Sequence, residues 1–84
     1  MFRIEFVPSA AKDFHALEGI ISSRIVKAFE RLVEDPVLGK PLQGPYHGLR
    51  SYRVGDYRLV YKVETEIRMI LIYRIGHRRD VYRV

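Results

Sequence analysis

Residues 49–63 read LRSYRVGDYRLVYKV. Two runs rich in Val, Leu and Tyr flank Gly55-Asp56, a pair suited to the centre of a tight two-residue hairpin turn. That centre fixes a register in which Val54 faces Tyr57, Arg53 faces Arg58 and Ser51 faces Val60. Because strand side chains alternate, Ser51, Arg53, Arg58 and Lys62 then share one face, and Tyr52, Leu59, Tyr61 and Val63 share the other. Directly opposed like charges cost a sheet about 0.2–1 kcal/mol, so folding gives no reason to select Arg53 opposite Arg58. An anion seated between them does.

Working outward, residues 67–75 (IRMILIYRI) are apolar on both faces and read as a third strand, reached through the polar Glu64-Thr65-Glu66. The runs 49–54, 57–63 and 67–75 make an antiparallel meander. Upstream, residues 37–48 (VLGKPLQGPYHG) hold three of the six glycines and two of the four prolines. They read as an ordered loop in which Gly39, Gly44 and Gly48 serve turns, with no phosphate-loop pattern. Before it, Ile21, Ile25, Ala28, Phe29 and Leu32 form the stripe of a helix that stops at Asp35-Pro36. Ala10, Phe14 and Leu17 mark a shorter helix, capped by Ser9 and ended at Gly19. Residues 2–7 alternate as a first strand. The expected fold is α+β, one domain over residues 1–84: a strand, a helix hairpin packed on one sheet face, then the meander, with the first strand on its edge.

Composition narrows the function. The chain has 84 residues, 48% hydrophobic and 30% charged, with no cysteine, which excludes disulfides, thiolate nucleophiles and cysteine-based zinc sites. No apolar run is long enough for a membrane span and the N-terminus has no export pattern, so the expectation is a cytoplasmic protein without a membrane partner. The net charge of +5 is unevenly spread. Residues 1–49 balance six basic against six acidic groups, whereas residues 50–84 set nine basic groups against four acidic ones, and eight of the nine are Arg. Arginine-rich charge on one half of a chain suits a polyanion. His15, His47 and His77 are scattered and no carboxylates cluster with them, so neither a metal nor a cofactor is expected.

The third strand opens into Gly76-His77-Arg78-Arg79-Asp80-Val81-Tyr82. A His/Arg/Tyr set on a rigid strand end suits metal-free RNA cleavage. Attack of a 2′-hydroxyl on the adjacent phosphate needs a base, positive charge on the phosphorane-like transition state, an acid for the 5′-oxygen and a flat group to hold a nucleobase.

Together, LRSYRVGDYRLVYKV and YRIGHRRDVY resemble the RelE branch of the RelE/ParE toxin superfamily along nearly the whole chain. The resemblance implies a toxin of a toxin–antitoxin pair that cleaves messenger RNA, in RelE itself within the ribosomal A site. It also implies an acidic, RelB-like antitoxin that wraps the toxin, with operator DNA bound only through that complex. By position, Arg58 matches the arginine holding the scissile phosphate, Arg78 the one that stabilises or protonates the leaving group, and Tyr82 the tyrosine that orients the substrate. Arg53 and Ser51 fall where RelE has two lysines, one of them its proposed base. Arginine does not give up its proton, so Arg53 supplies charge, and the base falls to His77, preferred for its titration near neutrality, or to Lys62. Arg50, Ser51, Lys62 and Arg79 are expected to hold RNA. Two other readings stay open: a ParE-type inhibitor of DNA gyrase without enzymatic activity, and a degenerate homologue that only binds nucleic acid.

Overall fold

The computed structural model describes residues 1–79, running β1 (Arg3–Phe6), α1 (Pro8–His15), α2 (Gly19–Glu34), β2 (Lys40–Pro41), β3 (Arg50–Val54), β4 (Tyr57–Glu64) and β5 (Met69–His77). The strands form one five-stranded sheet in the order β1-β5-β4-β3-β2. β1 lies parallel to β5, and the other pairs are antiparallel. The hairpin takes the register read from the sequence: Val54 pairs with Tyr57, Arg53 with Arg58 and Ser51 with Val60. Gly55 has φ 60° and Asp56 is not positive, the pattern of a type II′ turn, which needs glycine at its first central position.

Both helices cover the face defined by Tyr52, Leu59, Tyr61 and Val63. Ile25, Ala28, Phe29 and Leu32 of α2 bury against Leu59, Tyr61, Ile70, Ile72 and Ile75. Full burial of an aliphatic side chain stabilises by about 1.5–3 kcal/mol, so this layer anchors the sheet. Phe6, Phe14 and Phe29 join β1, α1 and α2 through ring centroids 5.6, 5.8 and 6.1 Å apart. The opposite face is covered by no helix among the described residues. Among the described residues, no helix is long and apolar enough to cross a membrane.

Four local features differ from the sequence reading. α1 begins at Pro8 with Val7 as an extended N-cap and no side-chain cap, so Ser9 does not cap it. Proline suits the first turn because its missing N–H has no helical partner there. Lys40-Pro41 is a strand and not loop, pairing with Ser51 and Arg50. Proline is tolerated because β2 is the sheet edge. β5 starts at Met69, since residues 65–68 close a turn with Arg68 at φ 52°, and it runs on through His77.

The fourth is a bulge in β5. Val60 pairs with Arg74 but Tyr61 pairs with Ile72, leaving Tyr73 as an extra residue. The helix-facing series therefore runs Ile70, Ile72, Ile75. β1 ends here, its last bond being Val7 N–H to the Ile72 carbonyl at 3.0 Å. The Asp13 carboxylate of α1 takes over the bare strand edge, accepting from Ile75 N at 2.9 Å and from Arg74 Nε at 3.2 Å.

Candidate functional site

The uncovered sheet face gathers cations around Arg58. Its Nη1 donates to Ser51 Oγ at 3.4 Å, and Ser51 is only 5% exposed, so a buried hydroxyl steadies the guanidinium. Across β5, Arg58 faces Gly76, which puts no side chain beside it. Arg53 Nε donates to the Gly55 carbonyl at 2.9 Å, so its head rests on the turn and diverges from that of Arg58. This divergence relieves the repulsion of the opposed pair. Lys40 of β2 pairs with Ser51 and completes a depression of about 290 Å³ lined by Leu38, Lys40, Ser51, Tyr52, Arg53 and Arg58. Among the described residues, no carboxylate forms an ion pair with Lys40, Arg53 or Arg58.

Lys40 is held in place from below. The buried Tyr61 hydroxyl donates to the Pro36 carbonyl at 2.7 Å and accepts from Gly39 N at 2.9 Å, pinning the segment that leads into β2. Burial pushes the Tyr61 phenol above its ordinary value, against the smaller lowering effect of the Gly39 hydrogen bond. A Cβ on Gly39 would stand 2.6 Å from Tyr61 Oη and 3.0 Å from the Ser51 carbonyl, so this glycine is required by close approach and not by a turn.

The remaining sequence candidates divide. Lys62 shares the open face but lies about 13 Å from Arg58 along the strand, paired with Glu64 at 3.6 Å. Arg50 points the other way. Its Nη1 donates to the Gly39 carbonyl at 2.7 Å and the Val37 carbonyl at 3.4 Å, which makes it a strut for β2 and corrects its expected place on the RNA face.

His77 also departs from expectation. It is the last residue of β5, paired with Tyr57, the two rings edge-on at 5.9 Å. Tyr57 packs against the helix-side core. Since Gly76 shares a rung with Arg58, alternation sends the His77 side chain to the other side of the sheet, away from the depression around Arg58. Arg78 N donates to the Asp56 carbonyl at 2.8 Å, extending the ladder one residue and returning position 78 to the face of Arg58. Arg79 is exposed, with its N–H directed to His77 Nδ1 at 3.4 Å. Tyr82 lies outside the described residues. Lys40 was the residue missed from sequence, because a two-residue strand among glycines and prolines has no readable period.

The described residues thus set a helix pair on one face of a mixed sheet and opposed arginines on the other. The chain matches the family described as ParE toxin of type II toxin–antitoxin system, parDE, over residues 4–82, and it belongs to that family, a toxin of the RelE/ParE superfamily. It is similar to Toxin RelG of Mycobacterium tuberculosis, 37% identical over 84 residues, covering 98% of this chain and 97% of that protein. Toxin RelE of the same organism is 34% identical over 85 residues, covering 99% and 88%. Among solved structures, a chain of the toxin–antitoxin complex RelBE2 from Mycobacterium tuberculosis superposes with TM-score 0.84 at 35% identity, over 90% of this chain and 96% of that one. The isolated E. coli RelE toxin gives TM-score 0.80 at 21% identity, over 92% and 84%, a likeness of fold.

Proposed function

We propose that this toxin is a metal-independent endoribonuclease that cleaves messenger RNA, with the ribosomal A site as its setting. The observation that carries the reading is the depression in which Arg58, steadied by buried Ser51, stands beside Arg53 and Lys40 with no carboxylate among the described residues paired to them. Arg58 takes the scissile phosphate. The 2′-oxygen attacks phosphorus, the bond from phosphorus to the 5′-oxygen breaks, and the cations stabilise the charge gathered on the phosphoryl oxygens. Lys40 supplies the primary amine that RelE carries on neighbouring positions, and it takes the 2′-proton in place of His77. Arg78 serves the leaving 5′-oxygen, and the resemblance assigns Tyr82 to orienting the substrate. A cognate acidic, RelB-like antitoxin covers the Arg53/Arg58 face, a reading supported by the similar RelBE2 chain having been solved in a toxin–antitoxin complex.

The test is cleavage of RNA in the presence of a chelator, with products ending in a 2′,3′-cyclic phosphate and a 5′-hydroxyl. Arg58→Ala should lower the rate by about 10²–10³ with the fold intact. Lys40→Arg keeps the charge but cannot accept the proton, so it should lose activity, while His77→Gln should retain it. The second reading, gyrase inhibition, rests on the family's description as ParE. Undiminished growth arrest by a folded Arg58→Ala protein would sink the nuclease reading and favour that one.

A further inference from the structure

The basic half of the sequence is not the only cationic surface. α2 carries Arg24, Lys27 and Arg31 at spacings of three and four, one stripe of the helix, where like charges oppose helix formation. Glu30 and Glu34 lie on the same helix, yet among the described residues none of the three cations is ion-paired. The stripe borders a groove of about 260 Å³ between α2 and β3, floored by Ala28, Tyr52 and Val54 and closed on the far rim by Arg53. Arg24 reaches across to the hairpin turn. Its Nη1 stands 3.9 Å from where a Cβ on Gly55 would be, and the carbonyl of that same residue receives Arg53 Nε at 2.9 Å. Two guanidiniums from distant elements thus converge on one turn, and the turn's exposed Asp56 forms an ion pair with neither.

Tyr52 and Arg53 line both this groove and the depression around Arg58. β2 pairs only with Arg50 and Ser51, so among the described residues no strand covers the outer edge of β3 beside Tyr52, Arg53 and Val54. A continuous cationic path therefore runs from Arg58 around the β3 edge to α2. We propose that this groove is a second RNA-binding segment, taking the phosphate backbone of the strand beyond the nucleotides held at Arg58. The inference rests on RNA being the ligand of the first site. An RNA strand fits better than an acidic protein segment because one unbroken polyanion satisfies both sites through their shared Arg53, and Tyr52 offers a ring for a nucleobase.

The test uses the full chain and 2′-O-methyl RNA of three and of twelve nucleotides, which cannot be cleaved by 2′-attack. The longer probe should bind more tightly. The combined Arg24→Gln, Lys27→Gln and Arg31→Gln variant should remove that advantage and flatten the slope of log affinity against log salt by about 2, near 0.7 for each lost single-strand phosphate contact. Its affinity for the trinucleotide should be unchanged. Arg3→Gln with Lys12→Gln, which removes charge elsewhere on the surface, should keep the length advantage. Equal affinity for both probes, or equal losses in the control variant, would overturn the proposal. So would an α2 variant that binds the longer RNA normally but loses an acidic peptide. Length-dependent binding through α2 without cleavage of any unmodified RNA would sink the nuclease reading and leave the groove standing.

Discussion

Tyr61 shows how one side chain ties the site to the core. Its phenol is fully buried, with both hydrogen bonds spent on the backbone around Pro36 and Gly39. Tyr61→Phe leaves the buried Gly39 N–H without an acceptor and should cost about 1–3 kcal/mol at neutral pH by urea unfolding. Because burial raises the phenol above its ordinary value of 10.0, the folded state favours the neutral form. That contribution is fully present below pH 10 and is lost as pH rises through the folded value, so the gap between wild type and Tyr61→Phe should narrow in that alkaline range. A constant gap would remove the titration from the account. Gly39→Ala must displace Tyr61 or the Ser51 carbonyl, and should lose both stability and RNA cleavage by moving β2 and Lys40. Ser51→Ala is a sharper probe. It should weaken cleavage less than Arg58→Ala, because it frees the guanidinium without removing its charge.

Among the elements, β5 and α1 are joined where the bulge and the end of β1 leave backbone uncovered. Asp13 carries that joint, since its carboxylate accepts from Ile75 N–H while meeting Arg74. Asp13→Ala should cost about 1–3 kcal/mol, the penalty for a buried donor without an acceptor, and should speed hydrogen exchange at the Ile75 amide. Asp13→Asn retains an oxygen and should recover most of the loss. Equal destabilisation by both variants would point to the Arg74 ion pair as the dominant contact. The contact between α1 and β5 joins residues about sixty apart in the chain, and no local pattern announces it.

On the scale of the whole molecule, the helices neutralise one sheet face by covering it and leave the other to its charge. Binding of an acidic antitoxin should therefore weaken as salt rises. Mutating Arg53 and Arg58 together to Gln should reduce that salt dependence, as measured by affinity at low and physiological ionic strength. A complex indifferent to salt would place the antitoxin's main contacts on the apolar surface.

Near-neighbour chemistry in the sequence determined the hairpin register, the two helices and the opposed arginines, because period-two alternation and a Gly-Asp turn act within a few residues. It also located the arginine-rich half. Tertiary structure alone decided which of those groups meet. Lys40 joins Arg58 because an edge strand pairs across the chain with Ser51, and Arg50 leaves the site because its guanidinium is spent on the Gly39 and Val37 carbonyls. The side taken by His77 follows from the pairing of β4 with β5 across the Tyr73 bulge, since one inserted residue reverses every later side chain. Residues 1–49 sum to zero charge, yet packing α2 against β3 aligns Arg24, Lys27 and Arg31 with Arg53. Summed charge along a chain has no direction, and only the fold supplies the face on which it accumulates.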